Sequence, residues 1–71
     1  MGRLKRFSGK DVCRILERNG FELVRQRGSH AVMQKPGNPT VTVPVPLHKE
    51  IKTGTLQSII RQSGISRSLF E

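Results

Sequence analysis

Seventy-one residues suffice for one small domain and exclude a second. Hydrophobic residues make up 34% of the chain, enough for one sheet covered by helices but not for a deep substrate cavity, so a ligand is expected on a surface. Thirteen Lys and Arg against five Asp and Glu leave a net charge of +8, which points to a polyanionic partner, nucleic acid first and an acidic membrane surface second.

Met1-Gly2 begins like a myristoylation signal, but Arg6 stands where that signal has Ser or Thr. No segment resembles a signal peptide or a spanning helix, so a cytoplasmic location without a membrane partner is the expectation. Residues 1–7 contain Arg3, Lys5 and Arg6 and read as a solvated basic tail that would add affinity near a phosphate backbone. Ser8 with Asp11 three residues on resembles a capping box, so the first helix is expected over Gly9 to Asn19, with Val12, Ile15 and Leu16 on its apolar face and Gly20 at its C-terminal cap. Cys13, the single cysteine, follows Val12 in that pattern and is expected as a small core or boundary residue.

From Phe21 to Arg27 the pattern becomes apolar and β-branched, Gly28-Ser29 punctuates it, and His30 to Lys35 supplies a second extended segment. Pro36-Gly37-Asn38-Pro39 signals a turn before a third strand in which Val41, Val43 and Val45 alternate with Thr40, Thr42 and Pro44. Pro44 and Pro46 lack the N–H of a ladder bond, so this strand is expected at a sheet edge or to end within that run. Thr53 is the expected N-cap of a second helix with Leu56, Ile59 and Ile60 as its apolar stripe and Gly64 closing it. Ser66 is expected to cap a final turn, residues 66–71, that holds Leu69 and Phe70. The order α-β-β-β-α predicts an α+β two-layer sandwich with a three-stranded antiparallel meander, the element order of double-stranded-RNA-binding domains.

One Asp and four scattered Glu give no carboxylate cluster for two-metal hydrolysis, and one cysteine excludes an internal disulfide and a thiolate-rich zinc site. No phosphate-cradling glycine loop occurs, so neither metal nor nucleotide cofactor is expected. His30 stands out at a strand start among basic residues. It either fills an exposed strand position or acts as a general acid or base, with Arg25, Arg27 and Lys35 binding phosphate, Ser29 expected among the RNA-binding residues and Gly28 shaping the turn. RNA supplies its own nucleophile, the 2′-hydroxyl, so one histidine in a basic surround suffices for slow cleavage without metal, whereas DNA would be bound and left intact. Strand parity puts His30, Val32 and Gln34 on one face and Ala31, Met33 and Lys35 on the other. Lys52, ahead of the free N–H groups of Gly54, Thr55 and Leu56, either helps to form an anion site or merely precedes an ordinary cap. With three Phe and no Trp or Tyr there is little material for base stacking, so backbone and shape reading is expected.

Ser8-Gly9-Lys10, Asn19-Gly20-Phe21, Arg27-Gly28-Ser29-His30, Thr42-Val43-Pro44, Lys49-Glu50-Ile51, Gly54-Thr55-Leu56 and Gln62-Ser63-Gly64-Ile65-Ser66 together resemble the HicA toxins over nearly the whole chain. That resemblance implies a double-stranded-RNA-binding-like fold, messenger RNA cleavage independent of the ribosome, a catalytic histidine at His30, and a HicB antitoxin that binds the toxin and masks its active site. Two positions depart from the family pattern. Met33 replaces an aromatic residue, and Pro46 replaces a histidine that often follows the Val-Pro strand end, with His48 two residues later as a supporting candidate or a plain loop histidine. The alternatives are a non-catalytic RNA-binding module and a domain whose charge serves an acidic protein partner.

Overall fold

A computed structural model describes residues 3–71, so the comparison of Met1-Gly2 with a myristoylation signal lies outside the described residues. The first helix, α1, spans Gly9–Arg18 and opens on the reciprocal cap that the sequence suggests. The Ser8 N–H donates to Asp11 Oδ2 and the Asp11 N–H donates to Ser8 Oγ, both at 3.1 Å. Hydrogen bonding from the Ser8 backbone, then from its side chain, holds the Asp11 carboxyl below its ordinary pKa. The helix stops at Asn19, whose side-chain amide donates to the Ile15 carbonyl at 2.8 Å. Gly20 then takes a positive φ of 92° that turns Phe21 back into the core.

Three strands follow, β1 (Glu22–Arg27), β2 (His30–Lys35) and β3 (Val41–Pro46), in an antiparallel sheet of order β1-β2-β3. The proline-containing strand therefore sits at an edge, where its missing N–H groups break no ladder between central strands. Gly28, φ 57°, and Ser29, with negative φ, join β1 to β2 in the sign pattern of a type II′ turn, which matches strand twist. Ala31 and Met33 on β2 and Val43 and Val45 on β3 point down into a core shared with Val12 and Leu16 of α1. From the second helix, α2 (Thr53–Ser63), Leu56 and Ile59 complete that layer. Both helices thus cover one face, and the other face is open, as strand alternation requires. Cys13 lies half-buried against the core, and burial followed by the nearby Glu17 charge pushes its thiol pKa up, as expected of an inert boundary residue.

Two expectations are revised. Lys52, not Thr53, is the N-cap of α2, and no side chain caps that end. The buried Ile51 is pinned by its N–H to the Phe7 carbonyl at 2.8 Å, so the first helical bond runs from the Leu56 N–H to the Lys52 carbonyl and Thr53 is already inside the helix. The basic N-terminal stretch is not a free tail over its described part. Leu4 and Phe7 pack against the core, the Lys5 N–H donates to the Phe70 carbonyl at 2.8 Å, and the Phe7 and Phe70 rings meet edge to face at 5.7 Å. Phe70, fully buried in the 3₁₀ turn Arg67–Phe70 that Ser66 caps, and its aromatic partner offset the entropy of ordering the strap, at about 1.5–3 kcal/mol per fully buried large apolar side chain. The side chains of Arg3, Lys5 and Arg6 remain exposed, as the charge run suggests.

Candidate functional site

Strand pairing decides what surrounds His30, because directly opposed residues in antiparallel strands project from the same face. His30 pairs with Arg27 on one side and Pro46 on the other, and Val32 pairs with Arg25 and Pro44. Arg25, Arg27, His30, Val32, Pro44 and Pro46 therefore share the open face. Gln34 and Thr42 belong to it too, joined by a 3.3 Å hydrogen bond from the Gln34 amide to the Thr42 hydroxyl. His30, Arg25 and Arg27 are all exposed, so the ring and both guanidinium groups are open to an incoming polyanion. Val32, an apolar residue on the solvent face, is only half-exposed between Arg25 and Pro44.

Beyond β3 the open face falls into a groove of about 350 Å³ lined by His30, Pro44, Pro46, His48, Thr55, Ser58, Ile59 and Gln62. Its outer wall is one face of α2, because Thr55, Ser58 and Gln62 recur at helical spacing. Pro44 and Pro46 line it from the β3 side. The loop that carries His48 is fixed from both ends. The Leu47 N–H donates to the Ser29 carbonyl at 2.6 Å, and the Gly9 N–H donates to the His48 carbonyl at 2.9 Å. Gly9 has to lack a side chain here, since a Cβ would collide with the Pro46 carbonyl oxygen and lie 2.7 Å from Leu47 Cα.

The expected site residues thus separate. His30, Arg25, Arg27 and His48 come together. Ser29 and Gly28 form the turn, and Ser29 acts through its carbonyl on the His48 loop. Lys35 does not join them. It lies on the helix-side face with its stem beside Gly20, and five strand steps separate it from His30, roughly 17 Å. Lys52 caps α2 outside the residues that line the groove. The α2 face of Thr55, Ser58 and Gln62 did not emerge from the sequence, where the apolar stripe of Leu56 and Ile59 dominates. The i, i+3, i+7 spacing of three neutral polar residues was the available signal.

This arrangement can do two things. It can hold a phosphate between guanidinium groups and imidazole on the open face. It can also move protons, since two imidazoles line one groove. No group of three or more His, Cys, Asp or Glu side chains is placed to hold a metal ion among the described residues. No helix there is long and apolar enough to cross a membrane.

A protein-family model described as "HicA toxin of bacterial toxin-antitoxin" matches residues 9–65. The match runs from the first residue of α1 to just past α2, so it takes in the whole sheet, the groove and both histidines. No curated protein matches the sequence.

Proposed function

The chain belongs to the HicA toxin family of bacterial toxin–antitoxin systems, and on that premise we propose that it is a metal-independent endoribonuclease that cleaves messenger RNA with His30 as its catalytic side chain. The observation that carries this reading is the exposed His30 ring flanked by Arg27 on one side and by the His48 groove on the other. In the reaction, the 2′-oxygen attacks the adjacent phosphorus, forming the O2′–P bond while the P–O5′ bond breaks. A base takes the 2′-hydroxyl proton and an acid returns a proton to the departing 5′-oxygen, leaving a 2′,3′-cyclic phosphate and a 5′-hydroxyl. His30 takes one of these roles and His48 is available for the other. Arg25 and Arg27 stabilise the charge that accumulates on the phosphoryl oxygens.

Family membership also supplies the regulator. A cognate antitoxin of HicB type covers the His30 face, and both proteins act in the cytoplasm where messenger RNA is exposed. The test is incubation of the protein with RNA, and with DNA of the same sequence, in the presence of a chelator. Wild-type protein is expected to give fragments ending in cyclic phosphate from RNA only, and His30→Ala to give none while remaining folded by circular dichroism. Mobility shifts without fragments would leave an RNA-binding module, and equal cleavage by folded His30→Ala would remove His30 from the reaction.

A further inference from the structure

The charge around His30 is one-sided. Its arginines, Arg25 and Arg27, lie towards β1, and the groove beyond β3 is lined by no Lys or Arg, its α2 wall offering the neutral side chains of Thr55, Ser58 and Gln62 alongside His48. A polyanion settles its phosphates where the guanidinium groups are. The uncharged part of the same nucleotide is left facing the groove.

That groove has the chemistry of a nucleobase site. Pro44, Pro46 and Ile59 give it an apolar lining. The Gln62 amide offers a donor pair and an acceptor, and the Thr55 and Ser58 hydroxyls offer one donor and an acceptor oxygen each. None of these three side chains has a hydrogen-bond partner among the described residues, so their polar atoms are available to a ligand. The volume of about 350 Å³ lies at the lower end of small-ligand sites, roughly 300–1,000 Å³.

We propose that the groove between β3 and α2 is a base-reading subsite. One unstacked base next to the scissile phosphate lies on Pro44 and Pro46 and is hydrogen-bonded on its edge by Gln62 and Ser58, with Thr55 at the ribose. The inference rests on the RNA-cleaving reading of His30 and narrows its substrate to single-stranded RNA, since a base still paired in an A-form duplex cannot enter the groove. It also replaces pure backbone reading with recognition of one nucleotide.

The experiment maps cleavage positions in a single-stranded RNA with a randomised segment, and in the same RNA annealed to its complement, for wild type, Gln62→Ala, Ser58→Ala and, as a control outside the groove, Gln57→Ala. Wild type and Gln57→Ala are expected to share one base preference beside the cut, and the duplex is expected to resist. Gln62→Ala, at an exposed position where folding is retained, is expected to lower the preference for that base roughly tenfold or more. Cleavage at disfavoured sites should change little. Ser58→Ala is expected to act in the same direction. Wild-type cleavage whose positions are identical in both variants overturns the subsite and leaves His30 in place. Absence of any cleavage by wild type instead defeats the nuclease reading itself.

Discussion

The two ends of β2 each present a nitrogen-bearing side chain, His30 at one and Lys35 at the other, and the fold uses them differently. At one end His30 stands on the open face, with Arg27 directly opposite and the His48 groove beside it. At the other end Lys35 lies on the helix-side face, its stem against Gly20. Five residues along a strand change both the distance and the face, because alternation has a period of two. Positive charge close in sequence is therefore not positive charge close in space. The two arginines of β1 share the open face with His30 because pairing with β2 sets Arg27 opposite His30 and Arg25 opposite Val32.

The sharpest way to break this comparison is His30→Ala, which should lower RNA cleavage by about 10²–10⁴-fold, the usual worth of general acid–base catalysis, measured as the initial rate of fragment release. Support for that end comes next. Gly9→Ala forces a methyl group onto the Pro46 carbonyl and should cost about 1–3 kcal/mol in urea unfolding, with cleavage falling as the His48 loop shifts. Ser8→Ala removes the cap that starts α1 beside Gly9, and should cost roughly 1 kcal/mol by the same measurement.

The cap also carries a pH dependence. Because the Asp11 pKa is lowered on folding, its contribution is fully present above the unfolded carboxylate value and is lost as pH falls through the lowered folded value. Thermal melts from neutral to acid pH should show that loss below about pH 4, the ordinary Asp range, and Asp11→Asn should remove it. The smallest effects compare the two ends directly. Arg27→Ala should weaken RNA binding several-fold and reduce the salt slope by about 0.7 for one lost single-strand phosphate contact, and Lys35→Ala should leave both unchanged. Equal losses from the two substitutions would show that one bound strand spans both ends and that face does not separate them.

Much of this layout was legible from local patterns. The Ser8–Asp11 reciprocity, the glycines at positions 20, 28 and 64, and the alternation of Val43 and Val45 with Thr42 and Pro44 each state a backbone conformation within a few residues. The strap formed by Leu4 and Phe7 was not legible, because the same residues read as a basic tail until Phe70 and Ile51, more than forty positions away, supply their packing and backbone partners. The N-cap at Lys52 was missed for the same reason. Thr53 is the better capping residue locally, but the anchoring of Ile51 decides where the helix begins.

The sequence by itself determined the elements, their order and the strand parity that groups His30 with Val32 and Gln34, since these follow from periods of two and 3.6 and from the backbone demands of glycine and proline. The sheet then placed the proline strand at an edge and His30 on the open face. Only the tertiary structure decided the surroundings of that ring. It set Arg27 and Arg25 on its face, sent Lys35 to the other, and raised the neutral wall of Thr55, Ser58 and Gln62 beyond β3. The physical reason is that register and helix placement are fixed by burial of the shared core, a condition on the whole chain that no short window contains.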